Sequence, residues 1–251
     1  MLRFVDIVLY RSWSELRSER KRSMAGFLWW IFRPLMMLGV YAIVFGVIFH
    51  NEEEYFKIFL FSGIIAWEWF AGVVLRSSNS LITNRPLMLL VKVDPAIFPL
   101  SYTIVDGVKF LPGLLILVVG CFVAKIDFTW TMLMLPIIIL LEFLLCAGIA
   151  MLVASITPLF PDFHMFLMTA MQLIMFMSGI FYQIGNLPVR FANFLMLNPM
   201  ASIISMYRDV LIYGVFPPVK DLIYVFLIGI GFMMVGYALL RRFAGIYTKR
   251  W

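Results

Sequence analysis

Residues 131–156 read TMLMLPIIILLEFLLCAGIAMLVASI, an apolar run with one ionisable side chain, Glu142, near its middle. A run of this length exceeds the roughly 20 residues that cross a bilayer as a helix. It shows none of the apolar–polar alternation of a half-buried strand. Working outward, similar runs recur at 29–49, 56–75, 98–123, 165–182 and 222–240. Polar or proline-bearing stretches separate them, namely 51–54, 76–94, 125–127, 157–164 and 185–219. The expected fold is all-α: a polytopic membrane protein with six transmembrane helices in one domain, residues 1–251.

Composition agrees. Of 251 residues, 63% are hydrophobic and 14% charged, where a soluble domain carries about 25% charged residues. Such a chain cannot hide its apolar surface in water, so soluble enzymes, disordered chains and fibrous chains are excluded. The net charge of +6 suits the excess of Lys and Arg in cytoplasmic loops better than it suits nucleic acid. With the N-terminus inside, the same side receives Arg3, Arg11, Arg17, Arg20, Lys21, Arg22, Arg33, Arg76, Arg85, Lys92, Arg241, Arg242, Lys249 and Arg250. The other side receives only Lys57, Lys125, Arg190, Arg208 and Lys220. Both termini are therefore expected in the cytoplasm, with the acidic run Glu52-Glu53-Glu54 outside.

Residues 3–22 place Val5, Leu9, Trp13 and Leu16 on one helical face and Arg3, Asp6, Ser14, Arg17 and Lys21 on the other. This reads as an amphipathic helix lying in the membrane interface, or else as a solvated leader helix. A secretory signal would place its apolar core directly after a short basic start; here the apolar run begins near Phe27. The segment 185–219 carries Pro188, Pro199, Pro217 and Pro218. It reads either as two short helices, 193–197 and 203–207, that re-enter the outer leaflet, or as a surface loop.

No GxxxxGK[ST], HExxH, GxSxG or CxxC motif is present, so no nucleotide hydrolysis, metal or catalytic site is expected of this chain. Cys121 and Cys146 lie apart in apolar runs and read as core residues; His50 and His164 stand alone. Glu68, Asp106, Lys109 and Glu142 fall inside spans, Lys109 and Glu142 about 16 and 17 Å deep at 1.5 Å per residue. Charges at such depth pair or line a wet cavity. One reading is an ion pair locking the third and fourth spans; the other is the lining of a transport path. Trp29 and Trp30 suit interfacial anchors, whereas Trp67 and Trp69, about 15 Å into their span, lie too deep for a simple belt. Tyr41, Phe45, Trp67, Trp69, Phe70, Phe176, Phe181 and Tyr182 form a second candidate path, because aromatic faces stack on sugar rings with little sequence demand. Ordinary packing and lipid contact remain the alternative.

Four motifs then carry a resemblance. Ser23, Gly26, Trp29 and Pro34 open the first span after the basic helix, and Gly63, Trp67, Trp69 and Phe70 mark the second. Lys92, Val93, Pro95, Pro99 and Leu100 follow the polar loop; Asn198, Pro199, Met200, Arg208, Asp209 and Gly214 come late. In this order the chain resembles the membrane permease subunit of bacterial ABC exporters for polysaccharide, of the O-antigen and teichoic acid type. Departures are Asp94 where an aromatic is usual, Thr157 and Pro161 in the fourth loop with Asp162 kept, and Ser178-Gly179 in place of Ser-Pro.

The resemblance implies a homodimer bound to two P-loop ATPase subunits in the bacterial inner membrane, with ATP and Mg on the partner. It implies coupling through Asn84, Arg85, Pro86, Leu87, Lys92 and Asp162, and a polyprenyl-linked glycan as cargo. The alternatives are a same-fold exporter of teichoic acid, lipid or drug, and a membrane enzyme acting on lipid-linked sugars.

Overall fold

The computed structural model describes residues 4–22, 26, 28–48, 55–91, 93–160 and 162–249. Arg3, Ser23, His50, the Glu52–Glu54 run, Lys92, Pro161 and Arg250 lie outside the described residues. The helices are α1 (Phe4–Arg22), α2 (Leu28–Tyr41), α3 (Phe56–Ser78), α4 (Ser80–Thr83), α5 (Arg85–Leu90), α6 (Ile97–Val123) and α7 (Leu135–Ile156). They continue with α8 (Phe163–Met177), α9 (Val189–Leu195), α10 (Pro199–Leu211) and α11 (Val219–Lys249). A π-helical stretch, Ala42–Ile48, prolongs α2, and a 3-10 turn, Trp130–Met134, leads into α7. No strand occurs among the described residues.

Five of these helical segments are long and apolar enough to cross a membrane: Leu28–Gly46, Phe56–Ser78, Ile97–Val123, Trp130–Ile156 and Val219–Gly245. The fifth expected span, 165–182, differs. Its helix α8 stops at Met177 after 15 residues, about 22 Å against the roughly 30 Å of a hydrocarbon core. The cause is a built bend. Gly179 takes φ +69°, a left-handed conformation that glycine adopts without strain. The freed carbonyls are then claimed from α10: Arg208 donates to Gly179 O at 2.8 Å and Ile180 O at 3.0 Å.

Arg208 also reaches Phe59 O at 3.2 Å, and its guanidinium lies 3.3 Å from the Phe59 ring centroid. Asn198 caps α10 by accepting from Met200 N at 3.0 Å, while its amide donates to Ser178 Oγ at 2.8 Å. Thus Arg208, assigned to an outer loop by its charge, is a buried clamp. The short helix expected at 203–207 lies within α10, whereas the one expected at 193–197 overlaps only the last residues of α9, which starts earlier and ends at Leu195. Helix α10 belongs to the core: Met200, Ile203, Ile204, Met206 and Tyr207 are fully enclosed.

Helix α3 runs through the middle of the bundle, with Leu60, Ala66, Val73 and Val74 at zero exposure. Helices α7 and α11 form the closest seam. A Cβ on Gly148 would stand 2.7 Å from Gly229 O, and one on Gly236 2.7 Å from Leu152 N. Helix α2 is peripheral and touches chiefly α3 and α6. Helix α1 docks on α6 by burying Val8 and Ser12. The Ser12 hydroxyl lies 2.8 Å from Val8 O and 3.3 Å from Ser101 O. This leaves Val5, Leu9 and Trp13 exposed as an apolar stripe.

Candidate functional site: a charged cavity and an aromatic cluster

A cavity of about 410 Å3 opens between α1, α2, α3 and α6. Each of the four helices brings charge to it. Arg76, near the end of α3, donates from Nε to Asp106 Oδ2 at 2.9 Å and from Nη1 to Glu19 Oε1 at 2.5 Å. Lys109 Nζ lies 2.5 Å from Glu19 Oε2 and 3.5 Å from Asp106 Oδ1. The result is a closed ring of alternating sign, Glu19–Arg76–Asp106–Lys109. A separate pair, Arg33 Nε to Glu68 Oε2 at 3.0 Å, lines the same cavity. Trp29 and Trp30 border it, and the Lys109 ammonium sits 5.9 Å from the Trp30 ring centroid. Gly72 permits the approach of Asp106, whose carboxyl carbon would lie 3.4 Å from an added Cβ.

Three of the four expected intramembrane charges, Glu68, Asp106 and Lys109, therefore converge here. Glu142 does not. It is wholly buried on α7 and accepts from Tyr207 Oη at 2.7 Å. The expected lock between the third and fourth spans is thus replaced by ion pairs tying α3 and α6 to α1 and α2 to α3. The reason is register. Asp106 and Lys109 face α3 and α1, and the polar partner nearest Glu142 comes from α10. Arg76, expected in a cytoplasmic loop, lies inside α3 and belongs to the ring.

The eight candidate path aromatics separate into two groups. Trp67, Trp69 and Phe70 are buried in the core. Trp69 stacks on Phe110 at 4.9 Å between centroids and donates from Nε1 to Thr103 O at 3.3 Å. All three pack in the core, and Trp69 also borders the charged cavity. The other five meet near the far end of α2. Tyr41 and Phe45 contact Phe181 at 4.7 and 4.9 Å, and Phe176 contacts it at 5.3 Å. Tyr182 Oη donates to Phe176 O at 2.8 Å. Phe181 and Tyr182 directly follow the bend at Gly179, so the Arg208 clamp positions this cluster.

Of the loop residues, Asn84 precedes α5 and accepts at Oδ1 from Arg11 of α1. Its amide donates to Ser80 O at 2.7 Å. Pro86 occupies the first turn of α5, where its missing N–H costs nothing. Arg85 is half-buried. Met88 anchors α5 in a small core with Leu81, Phe98 and Leu240, while Leu87, Leu89 and Leu90 are exposed. Asp162 is exposed ahead of α8 and makes no side-chain capping bond. His164 Nδ1, two residues on, lies 2.7 Å from Ser78 Oγ and ties α8 to the end of α3.

Sequence reasoning missed Glu19 and Arg33 as cavity residues, and it misplaced Arg76. A signal existed for Arg33, which lies inside an apolar run and so asks for a partner. Near α10, burial first and Asp221 second raise the Asp209 carboxyl from the ordinary 3.8 to about 6, against the pull of Arg208.

The chain matches the ABC-2 type transporter family over residues 7–212. It is similar to the O-antigen export system permease protein RfbA of Klebsiella pneumoniae, 25% identical over 213 residues, 83% of this chain and 81% of that protein. A permease of the same name from Myxococcus xanthus is 26% identical over 199 residues, 78% and 76% of the two chains. The polysialic acid transport protein KpsM of Escherichia coli is 23% identical over 230 residues, 90% and 89%. Since the family match takes in most of the chain and falls on the apolar helices just described, this protein belongs to the ABC-2 type transporter family of membrane proteins.

Proposed function

We propose that the chain is the membrane subunit of an ATP-driven exporter that moves a lipid-linked polysaccharide, O-antigen-like, out of the bacterial cytoplasm. The observation that carries this is the similarity, over most of the chain, to permeases for O-antigen and polysialic acid. In this reading two copies pair, two P-loop ATPases bind beneath them, and ATP and Mg are held by those partners. Both termini face the cytoplasm, and α1 lies in the interface with Val5, Leu9 and Trp13 toward lipid. Helix α8 and the residues after its bend make a fifth crossing of six, while α9 and α10 re-enter from outside. Helix α5 and the loop sequence around it, with Asn84, Arg85, Pro86, Leu87 and Lys92, couple to the ATPase together with Asp162. The cluster of Tyr41, Phe45, Phe176, Phe181 and Tyr182 offers stacking faces to the passing glycan.

The test is reconstitution of the chain with its ATPase in vesicles carrying a polyprenyl-linked glycan. ATP-dependent appearance of glycan on the opposite side supports the reading. Binding of the ATPase without glycan movement overturns it.

A further inference from the structure

Resting on the polysaccharide reading above, we propose that the cavity between α1, α2, α3 and α6 is a saccharide site that takes an uncharged sugar unit of the glycan. At about 410 Å3 it falls among small-ligand pockets, roughly 300–1,000 Å3. Its lining holds three carboxylates, Glu19, Glu68 and Asp106, and three cations, Arg33, Arg76 and Lys109.

This balance selects the ligand. A phosphate would bring negative charge toward three carboxylates with no surplus cation. An ammonium would meet the converse. Sugar hydroxyls both donate and accept, so they serve carboxylates and guanidinium alike without disturbing the charge sum. The indoles of Trp29 and Trp30 on the same lining supply apolar faces for the C–H side of a sugar ring.

The two halves of the lining divide the work. In the ring, each of Glu19, Arg76, Asp106 and Lys109 holds two partners, so these groups stand fixed before a ligand arrives. Glu68 has Arg33 as its ion-pair partner, and the Arg33 side chain is 68% exposed. Arg33 is therefore the cation able to swing aside, and Glu68 is the acceptor a sugar hydroxyl reaches. The charges surround open space that a ligand can enter.

The test uses the full chain with its ATPase in lipid nanodiscs. Ala71, on the cavity lining, is changed in Ala71→Cys and labelled with N-ethylmaleimide; Cys121 and Cys146 are buried. The probes are glucose, mannose, N-acetylglucosamine and glycerol phosphate at millimolar concentration, and tryptophan emission of the unmodified protein is titrated with the same set. We expect at least one neutral sugar to slow labelling saturably and shift emission, with glycerol phosphate inert. Glu68→Gln weakens that protection about tenfold, the loss of one charge-assisted hydrogen bond, and Glu68→Asp restores part of it. Absence of any sugar effect in both measurements, preference for glycerol phosphate, or unchanged protection in Glu68→Gln overturns the proposal. ATP-dependent glycan export is followed in parallel. Export without sugar binding sinks the site and spares the function, whereas failure of export by the unaltered chain sinks the function itself.

Discussion

Arg208 shows how one side chain sets local architecture. It is buried and donates to three backbone carbonyls from two segments, Phe59 on α3 and Gly179–Ile180 at the bend. Arg208→Ala leaves those carbonyls enclosed without their charged donor. The expected loss is about 2–4 kcal/mol, read as a lower thermal unfolding temperature in detergent, with Arg208→Lys in between because an ammonium lacks the planar fork. Its neighbour Asp209 gives a pH signature. The folded value, about 6, lies above the ordinary 3.8, so the folded state holds the proton more tightly. The stability from this group is full below about pH 4 and is lost as pH rises through about 6. In Asp209→Asn that part of the fall in unfolding temperature between pH 4 and 7 is expected to vanish.

Between elements, glycine and charge do different work. At the α7–α11 seam the backbones nearly touch, and a Cβ on Gly236 would fall 2.7 Å from Leu152 N. Gly236→Val forces the helices apart and costs about 1–3 kcal/mol or more, measured by thermal unfolding or by yield of folded protein. Helix α1 adds polar contacts to its buried Val8 and Ser12: the Arg76 and Lys109 pairs with Glu19, and Arg11 with Asn84. Arg76→Gln leaves Glu19 and Asp106 facing each other across Lys109. The cost falls short of the roughly 3–5 kcal/mol of a fully buried broken pair, because the Arg76 side chain keeps 27% exposure. Faster protease cleavage near α1 is the expected readout. Added salt weakens the docking of α1 further, since partly exposed charges are screened.

Across the whole molecule, the sequence makes the long helices legible and the packing much less so. Five apolar runs reappear, as the stretch Leu28–Gly46 and as α3, α6, α7 and α11, displaced by only a few residues at most ends, because length and hydropathy alone define a membrane helix. The π-helical end of α2 and the stop of α8 were not legible. The second depends on Arg208, which is 29 residues away along the chain. Nor could the face of Trp67 or Trp69 be read, because in a chain 63% hydrophobic the positions toward lipid and toward core carry the same residue types. Charges were the better guide: an ionisable residue in an apolar run demands a partner, and Glu68, Asp106 and Lys109 all have one. At this scale the coupling reading makes its own prediction. Arg85→Glu at the start of α5 is expected to leave the protein in the membrane while ATP hydrolysis continues without export. Normal export by that variant removes α5 from the coupling route.

The bend at Gly179 has a consequence for biosynthesis. Its carbonyls are satisfied by a residue that leaves the ribosome well after them, so no nascent chain ending before Arg208 can complete the turn. Until then the segment after α8 carries open backbone acceptors that only water or a chaperone serves. The insertion machinery thus receives a late apolar segment whose final shape is decided by sequence not yet made, and the order of synthesis becomes part of how the cluster of Phe181 and Tyr182 reaches its place.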